Sequence, residues 1–108
     1  MATSPQAHLP LHDRVALVTG ASRGIGAATA LRLAHLGAAV GVNYVHNAAA
    51  AREVVDAITT DGGRALAIQA DAGDAEHMTR ALAELTAAFG PVDTLVLNAT
   101  AVQDRSEE

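Results

Sequence analysis

The sequence predicts an α/β fold built on a parallel sheet, and three observations carry that reading. Short apolar runs alternate along the chain with stretches whose apolar residues recur at helical spacing. The apolar runs lack the polar/apolar alternation of a half-exposed strand, as expected where both faces of a sheet are covered. The first run ends in a glycine-rich turn from which a helical pattern starts at once. Strands joined in this way make right-handed crossovers.

Arg14 to Thr19 reads as the first strand. Gly24 to Leu36 reads as the first helix, with Ile25, Thr29, Leu33 and Ala34 on one stripe and Gly37 as its stop. Ala39 to Tyr44 is the second strand. Asn47 is suited to cap a second helix, Ala48 to Asp61, in which Ala51, Val54, Val55 and Ile58 face one way. Arg64 to Gln69 is the third strand. Asp74 caps a third helix whose stripe is Met78, Leu82, Leu85 and Phe89, and Gly90-Pro91 ends it. Val92 to Asn98 contains a fourth strand centred on Thr94 to Leu97. The 108 residues suffice for one domain. Much of the apolar share is alanine and the only aromatics are Tyr44 and Phe89, so the core is expected to consist of small side chains.

The stretch Val15 to Gly26, VALVTGASRGIG, holds the strongest chemical signal. A strand that ends in glycines and opens a helix offers an anion the free N–H groups and partial positive charge of the helix start. Gly20 permits a tight turn, Gly24 lets a phosphate approach the backbone, and Gly26 lets the helix lie close to the strand. The phosphate loop of nucleotide hydrolases is excluded, because Gly24-Ile25-Gly26 stands where Gly-Lys-Ser/Thr is required.

The spacing Thr19-Gly20-xxx-Gly24-x-Gly26 resembles the classical short-chain dehydrogenase/reductase family, which carries TGxxxGxG. The resemblance implies a partial Rossmann-type, doubly wound sheet of four strands in the order 3-2-1-4. The first two helices would lie on one face and the third on the other, and a dinucleotide would bind at the crevice between strands 1 and 4. The polar opening stretch with Pro5 and Pro10 reads as a disordered leader (1–12), followed by a partial dinucleotide-binding domain (13–99) and a polar tail (100–108). Gly20, Ser22, Arg23, Gly24, Ile25 and Gly26 would hold the pyrophosphate end. Asp71 and Ala72 match the family's adenine-reading position, although a turn aspartate bonded to its own backbone has the same sequence appearance. Asn98 and Ala99 match the start of the Asn-Ala-Gly motif, where Thr100 departs from it.

Cofactor choice turns on the end of the second strand, Asn43-Tyr44, where NAD selectivity calls for an acidic side chain and none is present. A carboxylate ~4 Å from the 2′-phosphate of NADP would oppose it by ~4 kcal/mol per unit charge pair at an effective dielectric near 20. That repulsion is missing, and Arg23 offers a forked cation. NADP is therefore the expected cofactor, ahead of NAD; a solvated loop arginine is the plainer account of Arg23.

The net charge of −5 argues against nucleic acid and anionic membrane as partners. The absence of cysteine fits a reducing cytoplasm. The five histidines do not form a metal set. An apolar fourth strand with an open outer edge invites association. The family's general acid/base is a tyrosine followed four residues later by a lysine, aided by a serine; this chain has no lysine, and Ala48 stands four residues after Tyr44. The resemblance thus implies the cofactor half of an oxidoreductase, with the catalytic set outside these residues and no turnover by this chain alone. A non-enzymatic nucleotide-binding module, or a partner of a full-length relative, is the alternative from another class.

Overall fold

A computed structural model describes residues 8–98. The elements run β1 (Val15–Val18), α1 (Gly24–His35), β2 (Ala39–Tyr44), α2 (Ala48–Thr60), β3 (Arg64–Gln69), α3 (Ala75–Phe89) and β4 (Thr94–Val96). All strand pairs are parallel and the sheet order is β3-β2-β1-β4, the partial Rossmann arrangement expected. The register sets Val15 opposite Ala39, Ala39 opposite Arg64, and Leu17 opposite Leu95.

Side chains alternate across a strand, so each face of the sheet has its own core. Val18, Val40 and Val42 point to the layer of α1 and α2, where they meet Ala30, Ala34, Ala51, Val54 and Ile58. Val15, Leu17, Ala39 and Ile68 point to the α3 layer and meet Ala81 and Leu85. Leu17, Ile68 and Leu85 are fully buried, each contributing about 1.5–3 kcal/mol of apolar transfer. Position 41 explains how α3 gets close enough. A Cβ on Gly41 would lie 2.8 Å from Leu85 Cδ2 and 3.0 Å from Leu17 Cδ1, so the leucine of α3 occupies the room that the glycine leaves.

The stripe expected on α1 is corrected. Gly26, Ala30 and Ala34 are the buried residues of this helix, whereas Ile25 is 71% exposed and Thr29 and Leu33 are only partly covered. Gly26 is pressed against the turn that follows β1, and its four-residue repeat therefore faces the sheet. Ile25, one residue earlier, is rotated about 100° around the axis and stands clear of the layer. The α2 stripe is as expected, with Ala51, Val54 and Ile58 buried. On α3 the buried line runs through Ala81 and Leu85, flanked by Met78, Leu82 and Phe89.

The described part of the stretch expected as a leader, residues 8–12, makes contacts with the domain. Residues 8–12 form turns against the domain: the Leu11 N–H donates to the Leu36 carbonyl at 2.9 Å, and Leu11 packs on the α1/α2 core. Arg64 Nη2 donates to the carbonyls of His12 and Gly37 at 2.9 and 3.0 Å. Residues 1–7 and the tail 100–108 lie outside the described residues. At the other side of the sheet, Leu95 and Leu97 are 50% and 68% exposed. Among the described residues no helix is long and apolar enough to cross a membrane.

Two outcomes follow from this packing. Gly41→Val would force Leu85 off its seat and cost about 1–3 kcal/mol, read as a lowered midpoint of urea unfolding. Asp74 caps α3 by accepting from the N–H groups of Glu76 and His77 at 2.9 and 3.1 Å. The His77 N–H bond, with the neighbouring His77 and Arg80 charges, holds the Asp74 carboxyl below its ordinary value. A depressed folded value means that this contribution is complete above the unfolded value, about 4, and fades as pH falls through the lower folded value. Asp74→Asn keeps a capping oxygen but cannot titrate, so its thermal midpoint should fall less steeply with acid than that of the parent protein.

Candidate functional site

The site is the turn between β1 and α1, and its shape is set by two asparagines from neighbouring strand ends. Asn43, the fifth residue of β2, is 1% exposed. Its Oδ1 accepts from the Gly20 N–H at 3.1 Å, and its Nδ2 donates to the carbonyls of Ile68 and Ala70 at 3.3 and 2.9 Å. Asn98, just past β4, donates from Nδ2 to the Gly20 carbonyl at 3.0 Å. Its backbone N–H donates to Thr19 Oγ1 at 2.9 Å. Gly20 is thus gripped on both sides.

Glycine is required at this turn for two reasons. Gly20 and Gly24 have φ of +60° and +63°, a backbone region costly for other residues. A Cβ on Gly26 would collide with the Gly20 carbonyl oxygen and lie 2.7 Å from Asn98 Nδ2. At Gly24 the same atom would meet no protein atom within 4 Å, so its surroundings are open.

The start of α1 is chemically distinct from the other helix starts. Asn47 caps α2 and Asp74 caps α3, whereas Arg23, at the cap position of α1, is extended and makes no side-chain cap bond. No acidic residue stands in the first turn of α1. Its leading N–H groups and the helix dipole therefore face the opening beside the turn. That opening is a groove of about 430 Å³ between the glycine turn and the segment after β2. Gly20, Ser22, Arg23, Gly24, Ile25 and Tyr44 line it, together with Val45, His46 and Asn47. No carboxylate lines it. A larger groove, of about 870 Å³, runs between the C-terminal halves of α1 and α2 and carries Glu53, Asp56 and Asp61. It lies away from the turn, and its carboxylates make it the poorer seat for an anion.

The expected site residues therefore separate into three groups. Gly20, Ser22, Arg23, Gly24, Ile25 and Tyr44 share one groove, with Gly26 directly behind the turn and Asn98 clamping it. Asn43, expected among the cofactor-binding residues at the end of the second strand, is buried, and its amide bonds to the turn and to β3. Asp71 and Ala72 sit apart, on the exposed turn after β3. There Asp71 Oδ1 accepts from the Gly73 N–H at 2.9 Å, the self-bonded turn of the plainer reading, and the Asp71 N–H donates to His77 Nδ1 at 2.9 Å. Ala99 lies outside the described residues. Val45, His46 and Asn47 were missed; their signal was position alone, directly after Tyr44. Among the described residues no group of three or more His, Cys, Asp or Glu is arranged to hold a metal ion.

A glycine turn, an uncapped helix behind it and the switch point between β1 and β4 make a dinucleotide-type site. The family model described as short chain dehydrogenase matches residues 14–108. The chain belongs to the short-chain dehydrogenase family. Its family binds nicotinamide dinucleotides. A probable tetrahydroxynaphthalene reductase of Zymoseptoria tritici is 47% identical over 92 residues, covering 85% of this chain and 34% of the relative. The short-chain dehydrogenase/reductase from Serratia marcescens superposes with a TM-score of 0.79 at 48% identity, over 82% of this chain and 36% of that one. A short-chain dehydrogenase from Burkholderia cenocepacia, solved in complex with NADP, does so at 0.75 and 48%, over 79% and 35%. The chain spans about a third of the length of these relatives and corresponds to the N-terminal part of the family fold.

Asn43→Ala separates bracket from ribose contact. It strands the Gly20 N–H and two carbonyls, with an expected loss of about 1–3 kcal/mol. As a bracket, Asn43 should leave the ratio of NADPH to NADH affinity unchanged while the melting temperature falls.

Proposed function

We propose that this chain is the cofactor-holding N-terminal portion of an NADP-dependent short-chain reductase that transfers hydride between NADPH and a carbonyl compound. The observation that carries the reading is the uncapped start of α1, set behind glycines at positive φ and facing a groove that holds Arg23 and no carboxylate. These residues fit a dinucleotide. The open surroundings of Gly24 leave the backbone accessible, and the first-turn N–H groups of α1 lack side-chain competitors. When bound, the nicotinamide supplies or accepts the hydride.

The chain's own residues bind and orient. Gly20 to Gly26 would hold the pyrophosphate through backbone N–H groups, and Ser22 would add a hydroxyl beside them. Arg23 would face the adenosine ribose, where a guanidinium favours a 2′-phosphate over a free hydroxyl. Asp71, with one oxygen used in its own turn, retains a second that would accept from the adenine amino group, beside the Ala72 N–H. The reductases among the relatives support the direction of transfer. The lack of cysteine suits work in the cytoplasm. Leu95 and Leu97, exposed at the open edge of the sheet, would make the isolated chain prone to associate.

Calorimetric titration of the chain with NADPH and NADH tests this. NADPH should bind at least about ten-fold more tightly, and Arg23→Ala should remove most of that margin, the size of one charge-assisted hydrogen bond. Gly24→Val, with its fold verified by circular dichroism, should lose the cofactor-induced rise in melting temperature. Equal affinity for the two dinucleotides would overturn the NADP assignment.

A further inference from the structure

The turn after β3, residues 71–74, is held by one side chain from outside it. Within the turn Asp71 is bonded to its own neighbours: its Oδ1 accepts from the Gly73 N–H and its carbonyl from the Asp74 N–H, both at 2.9 Å. Upstream, the Ala70 N–H donates to the Tyr44 carbonyl at 3.0 Å and Gln69 Nε2 donates to the Val45 carbonyl at 3.1 Å, which anchors the end of β3. The Asp71 N–H is the remaining tie. It donates to Nδ1 of His77, in the first turn of α3, at 2.9 Å. Among the described residues no other side chain from outside the turn bonds to it.

This bond fixes the state of the ring. A backbone N–H can only donate, so Nδ1 presents a lone pair and the ring proton sits on Nε2. Nε2 in turn faces Asp74 Oδ2 at 3.7 Å. An imidazolium carries a proton on both nitrogens and cannot accept. Protonation of His77 therefore removes the acceptor of the Asp71 N–H. It leaves the start of α3 in place, because Asp74 still caps the helix through Oδ1 and its carboxylate attracts the charged ring. The other charged groups at this corner are Asp71 itself, Glu76 beside His77 in the first turn of α3, and Arg80 one turn further on. Arg80 donates to the Gln69 carbonyl at 2.8 Å and pairs with Glu84.

We propose that His77 is a positioning residue: in its neutral form it holds the Asp71-Ala72 turn in the arrangement that receives an adenine, and its protonation releases that turn and weakens binding. The proposal rests on the reading of Asp71 and Ala72 as the adenine contact and adds a proton-linked control to it. An adenine amino group needs the free Asp71 oxygen at a fixed place, and a turn held there in advance lowers the ordering cost of binding. The Asp71 N–H lies one residue before the Ala72 N–H, so a turn loosened at Asp71 misplaces both contacts. Affinity is full where the imidazole is neutral and declines as acid protonates it.

NAD+ is the suitable probe, because it carries the adenine and none of its own groups titrates near neutrality. Calorimetric titration of the full 108-residue chain over a series of pH values should show about three- to ten-fold weaker binding once the His77 ring resonances report protonation, the size of one hydrogen bond. His77→Asn offers an amide oxygen in place of Nδ1 and does not titrate, so it should bind as tightly in acid as at neutrality. His77→Ala offers no acceptor and should bind weakly at both. In the ligand-free parent the Asp71 amide resonance should move with the same midpoint as the His77 ring. If His77→Asn weakens in acid as much as the parent does, another group supplies the pH dependence and the inference alone falls. Binding by His77→Ala as tight as that of the neutral parent also overturns it. If Asp71→Ala binds NAD+ as tightly as the parent, the adenine contact falls and takes this inference with it, while the glycine-turn site stands. No binding by the parent at any pH overturns the inference and the cofactor reading together.

Discussion

The site depends on the double clamp on Gly20. The Gly20 N–H donates to Asn43 and the Gly20 carbonyl accepts from Asn98, so the two peptide units flanking this glycine are each fixed by a side chain from another strand. Asn43 in turn closes on two carbonyls at the end of β3. Two amide side chains thereby tie together the carboxyl ends of four parallel strands and the turn that the first of them feeds. Buried polar groups must be satisfied somewhere, and here their satisfaction fixes the geometry of the loop. A turn whose Gly20 N–H and carbonyl and Ala21 N–H are already engaged holds its shape before any ligand arrives, which reduces the ordering cost of binding.

The same turn decides how α1 lies on the sheet. Gly26 sits against the Gly20 carbonyl, and from that contact the small residues Ala30 and Ala34 follow at four-residue spacing along the buried face. A larger residue at 26 would lift the helix start and turn its N–H groups away from the groove. Burial and binding are therefore not separable at this helix. The alanines that bring it close to the sheet also aim its dipole. On the opposite face α3 relies on a different device, a strand glycine that admits a leucine.

Much of this was legible in the chain. Element order and the bounds of the helices followed from apolar periodicity and from stop residues such as Gly37 and Gly90-Pro91. The sheet order came from the resemblance rather than from the residues, because parallel strands of similar composition do not announce their neighbours. Asn43 shows what the pleat of a strand adds to its sequence. It was taken together with Tyr44 as one strand end, but successive strand residues point to opposite faces. Tyr44 packs toward the α1/α2 layer and the groove, while Asn43 points back under the turn. Ile25 differs for another reason: the stripe was started at this large apolar residue, whereas close approach at the turn selected Gly26 and the alanines that follow it at four-residue spacing. Residues 8–12 were dismissed for their prolines and polarity, yet a few backbone bonds and Arg64 suffice to seat them. His46 carries no motif, and only the folded chain brings it to the groove that Arg23 also lines.

Net charge describes the surface as a whole and says little about the site. The chain carries −5 overall, which argues against a polyanionic partner, yet its groove contains an arginine, a histidine, an uncapped helix start and no carboxylate. The acidic residues Glu53, Asp56, Asp61, Asp74 and Glu76 stand on other surfaces. An anion approaching such a molecule meets repulsion over most of its surface and attraction at one opening. Repulsion between exposed charges more than about 8–10 Å apart is largely screened at physiological salt. The nearby donors of the groove are not screened to the same extent, so the local arrangement determines binding and the net charge does little to oppose it. Such an arrangement favours a small anion that fits the opening over a long polyanion that must lie along the acidic surface as well.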